Sequence, residues 1–223
     1  MAEPRIVVFA SGTKDGGGSG FQAVVEASRQ GELVANVVAV VSQYEDGGVR
    51  KRALKLNVPF VHFTKRLEYQ GIVSEYEADY VLLSGWTSLA TGLDPTRTIN
   101  VHPAPLPEFG GKGMYGLSVH HAVLKAFDNG TLIFTSLTMH FVTEKFDAGL
   151  VFFRWPIRVF SNDTATTLRD RVKSFEHTWV SRILNRVVRG EIRLPDVNDP
   201  ASLVLPTPYT WHLPIDLHAG TRK

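Results

Sequence analysis

Ile6-Val7-Val8-Phe9-Ala10-Ser11-Gly12-Thr13-Lys14-Asp15-Gly16-Gly17-Gly18-Ser19-Gly20 decides the fold. The apolar run at its start reads as a strand buried on both faces, and a glycine-rich loop follows it. Phe21, Val24, Val25 and Ala27 then recur at helical spacing. Strand, glycine loop and helix in that order open an α/β fold. The loop stands where such folds bind anions, because the N–H groups at a helix start point outward and favour negative charge. Its spacing matches neither G-x-x-x-x-G-K-[ST] nor a G-x-G-x-x-G with an acidic residue at the right distance, so nucleotide hydrolysis is a weak reading. A loop that binds nothing is the competing reading, and the position after the first strand favours a phosphate.

Outward from this unit the pattern repeats. Val34 to Val41 reads as a strand, Val49 to Leu56 as a helix, Val58 to Val61 as a strand and Leu67 to Tyr76 as a helix. Asp79 to Gly85 reads as a strand ending at a glycine, and Thr98 to His102 as one cut off by Pro103. Strands separated by helices predict parallel pairing with right-handed crossovers. Further on, Gly116 to Phe127 reads as a helix, and Leu132 to Val142 with Leu150 to Val159 as two long strands joined closely enough to pair as a hairpin. Ser161 to Thr164 supplies N-cap candidates for an amphipathic helix through Leu168, Val172, Phe175, Trp179, Ile183 and Val187, ending at Gly190. The expected class is α/β: a mostly parallel twisted sheet with helices on both faces, then antiparallel strands and a long C-terminal helix. Residues 1–190 are expected to form one catalytic domain, and the Pro-rich 191–223 a tail lying on it or trailing it.

Composition narrows the function. Of 223 residues, 43% are hydrophobic, enough for a buried core, and the formal net charge is only +2. No concentrated basic stripe suggests nucleic acid, and Arg50-Lys51-Arg52 reads as the solvated face of a helix. The absence of cysteine excludes disulfides, thiolate catalysis and Cys-based zinc sites. No apolar run approaches the roughly 20 residues that span a bilayer. Met1 to Arg5 leads into the first strand without a signal-like apolar stretch. The expectation is a cytoplasmic protein acting on small molecules, without nucleic acid, membrane or metal, as a monomer or homodimer. The Asn-x-Thr triplets at Asn129 and Asn162 then read as chance or turn chemistry.

Two pieces of sequence suggest chemistry. In a strand, residues i and i+2 share a face, so Asn100 and His102 point together at the carboxyl end of a parallel strand, where such sheets bind ligands. An amide donor beside an imidazole suits an oxyanion or a proton transfer at a carbonyl. Asp147, in the turn Phe146-Asp147-Ala148-Gly149, is ordinary turn chemistry unless the fold brings it to His102, where it would raise the imidazole pKa and orient the ring. Of the other histidines, His120 and His121 read as helical and His177 as helix surface. His62, His212 and His218 carry no argument, and no histidine spacing suggests a metal.

Asn100-x-His102-Pro103, then Leu106-Pro107, Met139-His140-Phe141-Val142 and Asp147-Ala148-Gly149, resembles the folate-dependent formyltransferases, over about Ile6 to Gly190. The pattern is nearest to members that formylate glycinamide ribonucleotide in purine synthesis. Phe109 to Gly116 resembles the loop after the catalytic strand, and Ser174-Phe175-Glu176-His177 the late helix. The resemblance implies a Rossmann-like formyltransferase fold and 10-formyltetrahydrofolate as co-substrate. Asn100 and a protonated His102 would stabilise the tetrahedral intermediate, Asp147 would pair with His102, and His140 would support them. Ser11, Gly12, Thr13, Gly18, Ser19 and Gly20 would face the acceptor phosphate, and Glu176 its ribose or amine region. Trp86, Thr87, Ser88 and Leu89 would line the pterin pocket, with Val142, Phe146 and Gly149 closing its other side.

The chain also departs from the family pattern. Lys14 to Gly17 are extra, Gly20 stands where Asn is common, and Ser88 where Arg is frequent. The basic residue near the phosphate would be Lys65 or Arg66, or absent. A sugar-amine formyltransferase therefore stays open. A formate-releasing hydrolase and a methionyl-tRNA formyltransferase would need an additional domain. A non-catalytic anion-binding module would not call for Asn100, His102 and Asp147 together.

Overall fold

The computed structural model describes residues 2–64 and 68–194. Seven strands form one sheet in the order β3-β2-β1-β4-β5-β6-β7. They are β1 (Arg5–Phe9), β2 (Asn36–Ser42), β3 (Phe60–His62), β4 (Tyr80–Ser84), β5 (Thr98–His102), β6 (Phe134–Phe141) and β7 (Val151–Arg158). The first five pair in parallel, and β5–β6 and β6–β7 are antiparallel. The helices are α1 (Ser19–Arg29), α2 (Gly48–Lys55), α3 (Tyr69–Glu75), α4 (Leu117–Asp128) and α5 (Ala165–Val188). Each strand and helix read from the sequence is present, with ends displaced by a few residues. The tail beyond Leu194, including His212 and His218, lies outside the described residues, as do Lys65 and Arg66.

The strand sequences explain why the sheet is covered on both faces. Ile6, Val8, Val40, Leu82, Ile99 and Val101 point into one core, which α1, α2, α4 and α5 cover with Phe21, Val49, Val123 and Leu184 among others. Val7, Phe9, Val41, Val81 and Leu83 point into a second core, under α3 through Tyr69 and Ile72. That second face changes character beyond β4. Register puts Asn100 opposite His140 and His102 opposite Thr138, so directly opposed side chains share the face. Here the row is polar. The segment after β5 reaches it, with the Ala104 carbonyl accepting from the Thr138 hydroxyl at 2.8 Å. An apolar sheet with one polar strip is the framework of the site.

α5 starts where the sequence predicts. The Thr164 side chain accepts from Thr167 N–H at 3.2 Å, and Thr164 N–H donates to the Thr167 hydroxyl at 2.9 Å. Just before it, Arg171 clasps Asp163 with contacts of 2.6 and 2.7 Å. The Asp163 side chain is 2% exposed. The Arg171 hydrogen bond chiefly, helped by the Phe160 N–H, holds its carboxyl down at about 2. Because this folded value lies below the unfolded one near 3.8, the stabilisation is complete above about pH 4 and is lost as pH falls through about 2. Asp163→Asn is therefore expected to cost about 1–2 kcal/mol at pH 7, after discounting for solvent around Arg171. Urea unfolding should show the gap to the parent shrinking between pH 4 and pH 2. A gap that stays constant across that range would rule out the ion pair as its source.

Candidate active site

The carboxyl ends of β1, β4 and β5 open into one cavity of about 580 Å³. This is where strand order reverses, with β2 on one side of β1 and β4 on the other. The glycine loop after β1, the Trp86–Ala90 segment after β4, the strip on β5 and β6, and one face of α5 all line it.

Four polar side chains meet on the strip. Asn100 Nδ2 donates to Asp147 Oδ1 at 3.1 Å and lies 3.0 Å from His140 Nε2. His140 Nδ1 lies 2.8 Å from the Phe141 carbonyl, an acceptor that calls for the proton on Nδ1 and leaves Nε2 to accept from Asn100. Asp147 Oδ1 is 3.6 Å from His102 Nδ1 and 3.5 Å from His140 Nε2, and Gly111 N–H donates to Oδ2 at 2.9 Å. The fold thus brings Asp147 to His102, the condition on which a turn aspartate becomes more than turn chemistry. Its φ of 52° lies in the left-handed region, which a short polar side chain with local partners tolerates. Burial pushes its carboxyl up, but the neighbouring His140 and His102 rings and the Gly111 N–H outweigh this and hold it below the usual carboxylate range.

The expectation of a protonated His102 is not what the surroundings favour. Burial lowers the imidazole below its ordinary value, against the opposing pull of Asp147 and the Phe109 carbonyl. The ring is 3% exposed, with Nε2 donating to the Phe109 oxygen at 2.8 Å. Before reaction it is a neutral base with an acceptor beside each nitrogen, so a second proton has a place to go. His120 on α4 is also buried. It does not line the cavity, and its Nδ1 has no hydrogen-bond partner among the described residues. Burial, with Arg169 nearby, pushes it down to about 4, so it stays neutral.

The far end of the cavity is the glycine loop. The additional residues form a tight turn in which Thr13 N–H donates to the Gly16 carbonyl at 2.8 Å and Gly16 N–H to the Thr13 hydroxyl at 2.9 Å. Gly17 requires its φ of 91°, and any Cβ there would stand 2.4 Å from Gly12 Cα. α1 follows with Gly18 as N-cap and no side-chain cap, so its first N–H groups stay open to an anion. Gly12, Thr13, Gly18, Ser19 and Gly20 line this end. Ser11 lines it too, but its hydroxyl is engaged, accepting from Thr87 N–H at 3.0 Å. Glu176 enters from α5 and receives the Ser84 hydroxyl at 3.1 Å. Burial pushes its carboxyl above the usual range.

Trp86, Thr87, Ser88 and Leu89 form the opposite wall, with Val142 and Phe146 facing them. The wall is braced from behind: Trp86 Nε1 donates to Tyr69 Oη at 3.1 Å, and Tyr69 donates to the Leu89 carbonyl at 3.0 Å. Phe9 and Phe63 pack edge-on against Trp86. Gly149, expected in this wall, does not line the cavity. It packs against the Phe141 carbonyl, at a distance no side chain permits.

Three basic residues were missed. Arg169 and Lys173, one turn apart on α5, and Lys145 all line the cavity. On an amphipathic pattern Arg169 and Lys173 read as solvated helix, and the packing of α5 beside α1 reveals them, while Lys145 comes in with the turn that carries Asp147. Tyr44, in the loop after β2, also lines the cavity and was missed.

The comparisons with known proteins agree with this geometry. The formyl transferase family model matches residues 4–184. A chloroplastic phosphoribosylglycinamide formyltransferase of Arabidopsis thaliana is 33% identical, over 86% of this chain and 68% of that protein. Its counterpart in Vigna unguiculata is 34% identical, over 84% and 62%. The crystal structure of glycinamide ribonucleotide transformylase 1 from Symbiobacterium toebii superposes with a TM-score of 0.74 at 26% identity, covering 86% of this chain and 90% of that one. A family match across most of the chain, on a sheet that gathers Asn100, His102 and Asp147 at its open end, leads to one conclusion: this chain belongs to the formyl transferase family.

Proposed function

We propose that the chain transfers the formyl group of 10-formyltetrahydrofolate to the amine of glycinamide ribonucleotide, a step of purine synthesis. The observation that carries this reading is the single cavity running from an uncapped helix start, suited to a phosphate, past Asn100, His102 and Asp147 to a braced, largely apolar wall, suited to a flat ring. Trp86 to Leu89, with Val142 and Phe146, hold the folate donor, which brings an activated formyl carbon. Gly12, Thr13 and Gly18 to Gly20 hold the acceptor phosphate, and Glu176 meets its ribose or amine region.

The chemistry then follows from the polar strip. As the amine attacks, charge builds on the formyl oxygen, and Asn100 turns to it one of the two N–H groups it gives to Asp147 and His140 in the free protein. His102 takes the proton that the nitrogen gives up and returns it to the departing folate nitrogen. Asp147 keeps the imidazole oriented and stabilises its charged form. One preplaced donor to such an oxygen is typically worth about 3–4 kcal/mol. Gathering both substrates in one cavity contributes several kcal/mol more. We place the protein in the cytoplasm, acting on small molecules as a monomer or homodimer. No helix among the described residues is long and apolar enough to cross a membrane.

The test follows folate product spectroscopically, with glycinamide ribonucleotide present and then absent. Turnover that requires the ribonucleotide is the expected result. Turnover without it would make the chain a hydrolase. Turnover only with an amino-sugar nucleotide would reassign the acceptor, the outcome the longer phosphate loop leaves open.

A further inference from the structure

Gly20, Ser84 and Glu176 come from three different elements and meet at one point. A Cβ on Gly20 would stand 2.4 Å from both the Glu176 Oε1 and the Ser84 Oγ. The bare α1 backbone at Gly20 is therefore what allows the β4 hydroxyl to reach the α5 carboxyl. Among the described residues that hydroxyl is the one hydrogen-bond partner of the carboxyl, and no Lys, Arg or His lies within ion-pair distance of it. Lys173, one turn back on α5, favours the ionised form from further away. On the other elements packed here, Glu26 of α1 and Arg52 of α2 act on the neighbouring His177, while Gly20 and Ser84 bring no charge. A half-buried carboxyl on a cavity wall with one neutral donor has acceptor capacity left over for a ligand.

We propose that Ser84 and Gly20 form a seat that fixes the Glu176 carboxyl against the donor hydrogens of the acceptor substrate, with Ser84 a positioning residue acting through Glu176. The proposal rests on the reading that Glu176 faces the acceptor. Ser84 ties down one oxygen and so aims the other. Burial raises this carboxyl overall, and the Ser84 hydroxyl, by donating to it, works against that rise because such a bond favours the charged form. The seat sets affinity for the acceptor, and the polar strip sets the rate.

The test has two arms. In the free protein, 13C labelling of glutamate side chains follows the Glu176 carboxyl, assigned with Glu176→Gln. Ser84→Ala is expected to move its titration midpoint to higher pH. In the transfer assay, Ser84→Ala is expected to raise the acceptor KM roughly tenfold while kcat and the folate KM change less than about twofold. Gly20→Ala, which displaces carboxyl and hydroxyl together, should raise it further. In a Glu176→Gln background, Ser84→Ala should add little, because Ser84 acts through that carboxyl. An unchanged midpoint in Ser84→Ala overturns the seat, whatever the kinetics. A midpoint that rises while the acceptor KM stays put leaves the seat standing and overturns the placement of the acceptor beside Glu176.

Discussion

Replacing His102 with alanine is expected to lower kcat roughly 10²- to 10⁴-fold, the range for losing a positioned acid–base group. The fold should persist, because the ring lies on the polar strip rather than in either apolar core. Substrate KM values should change little, since the imidazole acts on the proton and not on either substrate's anchor. Asp147→Asn should fall in the same direction: it keeps the Gly111 contact but gives up the charge that favours an imidazolium. The pH dependence carries independent information. Because His102 must begin neutral, and burial holds its value below 6.5, the acid limb of kcat/KM should be centred below 6.5. An acid limb centred above 6.5 would contradict a neutral, buried base. Near-normal turnover in His102→Ala, with circular dichroism unchanged, would remove the residue from the mechanism altogether.

Gly149→Ala is expected to be nearly as damaging, although Gly149 does not line the cavity. An added Cβ would fall 1.6 Å from the Phe141 carbonyl oxygen and 2.7 Å from its carbon, so the backbone itself must move. That carbonyl faces His140 Nδ1, and Phe141 N–H donates to the Leu150 carbonyl at 3.0 Å to close the hairpin. Separating the two segments disturbs His140 from one side and carries Asp147 away from Asn100 on the other. We expect a loss of about 2–3 kcal/mol in stability, lowering Tm by several degrees, and a fall in kcat of around 10²-fold. Ala148→Ser, one residue earlier and exposed, serves as the control and should be close to silent. If Gly149→Ala matched that control in both Tm and kcat, the close approach of turn and strand would not govern the site.

The sequence disclosed the site unevenly, for physical reasons. Asn100 and His102 were legible because a period of two is built into any strand, and the change from apolar to polar along Ile99 to His102 marks an open strip. Asp147 was legible only through its resemblance to a family pattern: a turn aspartate looks the same whether or not a fold returns it to the sheet. The ends of elements depended on single bonds. β3 was expected from Val58 and begins at Phe60, because Val58 N–H closes the end of α2 on the Ala53 carbonyl and Pro59 has no N–H to give. β2 was expected from Val34 and begins at Asn36, since the Val34 N–H is taken by the Asn185 side chain of α5. Arg169 and Lys173 were hidden, because helical periodicity separates buried from unburied faces and cannot distinguish solvent from a substrate cavity.

The Ser11 hydroxyl, held by Thr87, has a consequence for how the two halves of the cavity respond to each other. One serine belongs to the loop at the phosphate end, and its partner to the wall at the ring end. A ligand that orders either segment must therefore restrict the other, and the entropy cost of ordering falls once. Thermodynamic reciprocity then requires that each ligand strengthen the binding of the other by the same factor. A bond joining two loops thereby lets whichever substrate arrives first prepare the site of the second.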